Sequence, residues 1–351
     1  MRQGLLVALL AAAGSAGGAL LTWRLARLLG AVDDPAPARK VHDRGMPRLG
    51  GLAIGGGVVL ALAVGALGGW PGASRVFSFP PPLVGLGAAG ILVALVGLLD
   101  DVYELGPLAK LAGQVAAGSL AWAAGFRLET VVLGPTRWEL GPLALPATVL
   151  WFVAVMNAVN LVDGLDGLAA SLALLAVLVF GVQAVRDGGA VAATVAWAIG
   201  GALVGFLAHN VHPARQFMGS TGSLLLGLLL AALSLGTLRG RVGWDPLVAL
   251  PALGVPLLDL VLAFARRVLR GTSPFRADRE HLHHRLLDAG RGQGRAVAIL
   301  AAVQAGFAAC ALAALFLPPR VRPVAALPAL VLAVAVPLRL RGAGGGEGAG
   351  R

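Results

Sequence analysis

Residues 157–167 read NAVNLVDGLDG, and the interpretation of the whole chain turns on them. Asn157, Asn160, Asp163 and Asp166 recur at every third position at the end of an apolar run. On a helix of about 3.6 residues per turn each step of three falls back by about 60°, so neighbours share a face and the set fans across about half a turn. Gly164 and Gly167 oppose an unbroken helix and let backbone come close to a ligand. One such residue reads as a polar helix end with a glycine stop. Four in register beside a membrane-length run read as a site, because carboxylates next to lipid are costly unless they pair or bind something.

The surrounding chain is an integral membrane protein by composition. Of 351 residues 58% are hydrophobic and 13% charged, with a mean hydropathy of +0.83, which excludes an ordinary soluble enzyme. Eleven apolar stretches are expected to span, at 4–23, 49–69, 81–99, 107–124, 143–160, 168–185, 189–208, 221–238, 246–265, 296–317 and 323–338, each near the ~20 residues a bilayer requires. The expected fold is an all-α polytopic bundle, one domain over 1–341, with a short Gly-rich tail at 342–351. Residues 1–23 resemble a signal peptide, yet the run reaches Trp23 and is followed by Arg24 and Arg27, so it reads as a retained first span. FRLETVVLGPTRWELGP, between the fourth and fifth stretches, alternates and carries a Gly-Pro turn, which predicts a small extracytoplasmic hairpin.

The net charge of +11 is spread over short connectors, which argues against nucleic acid and for anionic lipid heads and phosphate substrates as partners. With the N-terminus outside and the C-terminus inside, 19 of the 28 Lys and Arg fall in cytoplasmic connectors, as the positive-inside rule requires. The same orientation puts every polar cluster on one side, against a transporter, whose binding groups lie near the midplane. Cys310 is the only cysteine, which removes intramolecular disulfides and thiolate metal clusters.

Four further clusters lie on that side. DDPAPARKVHDRGMPRLGG (33–51) offers Arg39, Lys40 and His42 to a phosphate, or is a topology-setting basic loop. Asp100 and Asp101 sit at the lip of a span, ahead of Lys110. Adjacent helical residues point about 100° apart, so only one of the two faces a given metal unless the helix ends there; such pairs suit Mg²⁺. HPARQFMGSTGS (212–223) contains Arg215 and Ser220, and SPFRADREHLHHRLLDAG (273–290) contains His281, His283, His284 and Arg285. The HLHH spacing is a poor zinc site without cysteine.

Taken in order, DDPAPARKVHDRGMPRLGG, LLDDVYELGPLAKLAGQ, NAVNLVDGLDGLAAS, HPARQFMGSTGSLLLG and SPFRADREHLHHRLLDAG resemble the polyprenyl-phosphate N-acetylhexosamine-1-phosphate transferase family, glycosyltransferase family 4. HLHHRL is closer to the bacterial undecaprenyl-phosphate N-acetylglucosamine-1-phosphate branch than to the phospho-N-acetylmuramoyl-pentapeptide transferases, which stand as an alternative. The resemblance implies an Mg²⁺-dependent enzyme of the bacterial plasma membrane, with Mn²⁺ as a substitute. It implies transfer of a sugar 1-phosphate from a UDP-sugar to polyprenyl phosphate, releasing UMP, with a homodimer left open. It assigns Asp100, Asp101, Asp163 and Asp166 to catalysis, and Asp100, Asp101, Asn160, Asp163 and the position of Ser220 to the metal. Substrate binding falls to Arg39, Lys40, His42, Lys110, Asn157, Asn160, Arg215, His281, His283, His284 and Arg285. Where the family carries an Asp metal ligand this chain has Ser220, so a catalytically weak, ligand-binding homologue is the competing expectation.

Overall fold

All eleven apolar stretches fold as helices in a computed structural model that describes residues 2–33, 45–78, 80–236, 243–273 and 280–342. In chain order the helices are α1 (Arg2–Leu29), α2 (Gly50–Leu67), α3 (Pro71–Phe77), α4 (Pro81–Tyr103), α5 (Pro107–Ala123), α6 (Ala144–Val162), α7 (Leu168–Arg186), α8 (Ala190–Asn210), α9 (Gly219–Ser234), α10 (Pro246–Ala252), α11 (Gly254–Leu269), α12 (Leu282–Asp288), α13 (Gln293–Phe316) and α14 (Ala326–Gly342). Proline at the first turn starts α3, α4, α5 and α10, where its missing N–H is no loss. Eight helices, among the described residues, are long and apolar enough to cross a membrane, and α10 with α11, bent by 82° at the break between them, is a broken span that would make a ninth, or a re-entrant pair. Of the remaining two of the eleven, α9 with 16 residues is short of the ~20 a bilayer requires, and α5 with 17 carries Lys110 and Gln114 in its apolar run.

The shortness of α9 follows from where it sits. Of the 16 residues of α9, 12 are buried, so protein rather than lipid surrounds it and no bilayer thickness has to be matched. The first helix is held by backbone contact. A Cβ at Gly201 of α8 would lie 2.0 Å from the Ala8 carbonyl oxygen of α1, and one at Gly205 would lie 2.1 Å from that of Ala12. Small residues give membrane helices this close approach when no hydrophobic force drives them together. Gly201→Val is therefore expected to destabilise the protein by about 1–3 kcal/mol, the usual range for overpacking. Thermal unfolding in detergent checks it, and an unchanged midpoint would show that α1 docks elsewhere.

The expected hairpin is β3 (Thr130–Leu133) paired antiparallel with β4 (Thr136–Glu139). Before it in the chain come β1 (Val32–Asp33) and β2 (Met46–Pro47), also antiparallel. A third strand-like residue joins the hairpin: the Val132 N–H donates to the Trp244 carbonyl at 2.8 Å and the Trp244 N–H to that of Thr130 at 2.8 Å. The Trp244 ring packs edge-on against Trp151 at 4.9 Å, and the Trp151 indole donates to Ser234 Oγ at 2.9 Å. The two aromatic rings thus pack in the half of the bundle where α6 begins and α9 ends, away from the polar clusters. Between α10 and α11 the ladder is interrupted, and Gln304 of α13 fills the gap. Its Nε2 donates to the Ala252 carbonyl at 2.7 Å and its Oε1 accepts from the Val255 N–H at 2.9 Å, so the break carries no orphaned pair there.

Candidate active site at one end of the bundle

α4 and α6 finish, and α9 starts, at the same end of the bundle. Around a cavity of about 360 Å³ stand Asp100 and Asp101 of α4, Asn160 of α6, Asp163 to Asp166 beyond it, and Gly219 and Ser220 of α9, with Asp33 of β1 and Arg48 just after β2. The repeat that organises the sequence breaks as its glycines require: α6 stops at Val162, Asp163 is its C-terminal cap, and Gly167 at φ +75° begins α7. Asn160 and Asp163 reach the cavity from the helix end, and Asp166 from the turn after it.

The adjacent pair on α4 divides its work. Both residues are buried within the last turn of a helix that runs on to Tyr103, so their side chains diverge as the 100° step requires. Asp101 caps the start of α9 from outside: Oδ1 accepts the Ser220 N–H at 2.7 Å, and Oδ2 accepts the Thr221 N–H at 2.9 Å and the Thr221 hydroxyl at 2.7 Å. An anion at a helix N-terminus satisfies open amides and meets the positive end of the dipole. Asp100 instead accepts from Lys110 Nζ at 3.2 Å and from the Ser220 hydroxyl. α4 and α9 approach at Gly97, where a Cβ would lie 2.5 Å from the Thr221 Cα, and Gly219, at φ +74°, makes room for the Arg48 carbonyl oxygen, 1.9 Å from where its Cβ would lie.

Around this centre the other polar groups are tied in place. Asn160 Oδ1 accepts the Ser223 hydroxyl at 2.9 Å. Asp166 Oδ2 holds the loop after α8, through His212 Nδ1 at 2.8 Å and the Ala214 N–H at 3.0 Å. Asn210 joins the two loops: Oδ1 accepts the Gly167 N–H at 3.0 Å and Nδ2 donates to the Gln216 carbonyl at 2.9 Å. Burial pushes the Asp163 carboxyl well above the ordinary carboxylate range, the neighbouring charge of Asp101 adds to this, and the Gly219 backbone N–H opposes it. Five carboxylates and one guanidinium line the cavity. Such a wall repels a bare phosphate and attracts cations.

Residues 83–237, the stretch that carries α4 to α9, match the family model described as glycosyl transferase family 4. A probable undecaprenyl-phosphate N-acetylglucosaminyl 1-phosphate transferase of Bacillus subtilis (strain 168) is 35% identical over 280 residues, 79% of this chain and 75% of the relative. The chain belongs to glycosyl transferase family 4. A decaprenyl-phosphate N-acetylglucosaminephosphotransferase of Mycobacterium tuberculosis is 36% identical over 349 residues, covering 91% of this chain and 85% of the relative. The undecaprenyl-phosphate alpha-N-acetylglucosaminyl 1-phosphate transferase of Escherichia coli (strain K12) is 30% identical, covering 76% and 72%. With its apolar helices, the chain is a multi-pass membrane transferase.

In this family 4 transferase some expected residues stand away from the cavity. Asn157, one turn back on α6, turns its amide to Gln114 of α5, donating to Gln114 Oε1 at 2.7 Å and accepting from Gln114 Nε2 at 3.3 Å. The three-residue period carried it round the helix, as the 60° drift per step dictates. Arg215 is exposed and does not line the cavity. Arg285 is taken up by Glu280, its Nε donating to that carbonyl at 3.1 Å. Arg39, Lys40 and His42 lie outside the described residues, whose flanks Asp33 and Arg48 both line the cavity.

The His281–His284 segment touches the site through one residue. A Cβ at Gly164 would lie 2.5 Å from His283 Nε2, a buried nitrogen with no hydrogen-bond partner among the described residues. Burial, and after it His284, lowers the His283 pKa to about 4 against the opposing pull of Asp259. Sequence reasoning missed Asp33, Arg48, Asn210 and Asp259. Asp33 was within reach, since it opens the quoted basic segment; nothing local distinguishes Asn210 from any helix end, or Asp259 from an acid stranded in an apolar run.

Proposed function

We propose that the chain transfers N-acetylglucosamine 1-phosphate, or a related acetamido-sugar 1-phosphate, from a UDP-sugar to a polyprenyl phosphate. The products are polyprenyl-diphospho-sugar and UMP, and the reaction is a first membrane step of cell-envelope polysaccharide synthesis. One observation carries the reading: Asp100, Asn160, Asp163 and Ser220, from three helix ends, meet in one cavity at one end of a membrane bundle. The transferase names of the relatives support it.

An oxygen of the lipid phosphate attacks the phosphorus that bears the sugar, and the bond from that phosphorus to the UMP oxygen breaks. Phosphoryl transfer of this kind needs positioning and charge compensation more than a reactive side chain. The donor set fits Mg²⁺, a hard cation held by one or two carboxylates together with waters and substrate phosphate oxygens. Asp100, Asp163 and Asn160 would hold it, with Mn²⁺ able to use the same oxygens. Bound there, the ion supplies positive charge to the phosphate oxygens. Asp101 serves by fixing α9, and Asp166 by fixing the loop after α8. Asp100 takes the proton of a lipid phosphate monoester in this reading, with Lys110 and Arg48 as the cations at the site.

The cavity end faces the cytoplasm of a bacterial plasma membrane, with the N-terminus out and the C-terminus in, on the 19-to-9 division of Lys and Arg. The short α5 and α9 complete eleven passes. α4 and α6 both end at the cavity, so the helix between them has to return the chain to the hairpin; α9 likewise leads away from the cavity towards Trp151.

The test is transfer of radiolabelled sugar phosphate from several UDP-sugars to undecaprenyl phosphate by the purified protein. Incorporation is expected from an acetamido-sugar donor with Mg²⁺ and none with a chelator. Folded, Mg²⁺-supplied protein that labels no lipid from any donor would sink the reading.

A further inference from the structure

Asp259 is an acid in the middle of an apolar helix, and only 1% of its surface is exposed. A buried carboxylate is costly unless its oxygens are satisfied, and both are: Oδ2 lies 2.9 Å from His281 Nδ1, and Oδ1 accepts the Leu282 N–H at 2.9 Å. His281 is the residue before α12, with extended backbone, and it offers no side-chain cap of its own. Asp259 therefore does two things from a distant helix. It caps the start of α12, and it fixes one tautomer, because a carboxylate only accepts and so Nδ1 carries the proton, leaving Nε2 as the free face of the ring.

The position of Asp259 is itself set from elsewhere. α11 leaves α10 at 82°, and the break is held by Gln304, fully buried on α13, through the Ala252 and Val255 bonds. Gly254 lets the Phe307 ring come against that break, since a Cβ there would lie 2.4 Å from the ring. The sequence of contacts runs from α13 to the break, to Asp259, to His281 and then along α12. The His281 and His283 rings are parallel within 4° at 5.7 Å, and His283 Nε2 abuts Gly164 beside Asp163.

We infer that Asp259 is a positioning residue of the candidate site, holding the His281 tautomer and the start of α12 so that the histidine segment meets the Asp163–Gly164 wall in one fixed arrangement. The inference rests on the proposed function only where donor binding is concerned.

The experiment uses full-length purified protein labelled with ¹⁵N-histidine, the His281 ring signals being assigned by their loss in His281→Gln. Asn at 259 keeps the shape and the acceptor for Leu282, but it can turn an N–H to His281. Asp259→Asn is therefore expected to move the His281 proton from Nδ1 to Nε2. In transfer assays it is expected to raise KM for the UDP-sugar at least fivefold, with KM for polyprenyl phosphate unchanged. His281→Gln should give the same rise, and the double variant should be no worse than the poorer single, since residues acting through one contact are not additive. An unaltered His281 tautomer in Asp259→Asn overturns the inference, as do losses that multiply in the double variant. If Asp259→Asn does not fold, His281→Gln with an unchanged donor KM overturns it. Wild-type protein that shows the expected tautomer but uses no UDP-sugar supports the inference and counts against the proposed function alone.

Discussion

Asp100→Asn is expected to lower sugar-phosphate transfer by roughly 10²–10³-fold, the size of effect seen when one preorganised charge-stabilising group is lost, while thermal unfolding stays where it was. The expectation comes from the division of labour on α4. The contacts of Asp100 are with the Lys110 ammonium and the Ser220 hydroxyl, both at the cavity, and an amide of the same shape still accepts from either. Asp101→Ala should behave in the opposite way. It leaves two backbone amides and the Thr221 hydroxyl at the start of α9 without their acceptor, and an unpaired buried donor costs about 1–3 kcal/mol. The protein should then unfold at a clearly lower temperature, whatever its remaining activity. Measuring both quantities on both variants decides the matter: an Asp100→Asn protein that transfers normally removes Asp100 from the chemistry, and an Asp101→Ala protein of unchanged stability removes the cap.

Ser220→Asp is expected to lower the Mg²⁺ concentration for half-maximal activity by tenfold or more, since a ligand worth as little as about 1.4 kcal/mol changes affinity tenfold. A hydroxyl is a weak ligand for a hard divalent ion, and here it is spent on Asp100. A carboxylate in its place would bring like charge against Asp100, a conflict that a divalent cation relieves. The same variant should therefore lose thermal stability in chelator and regain it as Mg²⁺ is added, more steeply than the natural chain. If the requirement for Mg²⁺ is unchanged or higher, the missing-ligand account is refuted and the site is complete as it stands.

The helical fold was legible because membrane helices must satisfy their backbone internally and bury about 20 apolar residues, a signal that survives in any one sequence. The end-of-helix glycines of NAVNLVDGLDG likewise announced the break after Val162. What could not be read was which side chains face one another across helices. Asn157 looked equivalent to Asn160, and only the packing of α5 against α6 turns it to Gln114. That Asp100 and Asp101 diverge was legible from the 100° step, but not that α9 would take the second. Asp259 had no neighbour in sequence to mark it, since its partners lie 22 and 23 residues on. Span length was less legible than span existence: length per helix is set by the bilayer only where lipid is the neighbour, and α9 is walled by protein.

The cap that Asp101 places on α9 bears on how this pair evolves. On the proposed function, the two adjacent acids would answer to different selection, Asp100 for turnover and Asp101 for keeping a buried helix attached. A lineage released from catalysis but still needing the bundle would let position 100 drift and hold position 101. Among relatives that keep the fold, an intact second acid beside a substituted first one would then mark lost chemistry, whereas loss of the second would call for a compensating change at the start of α9.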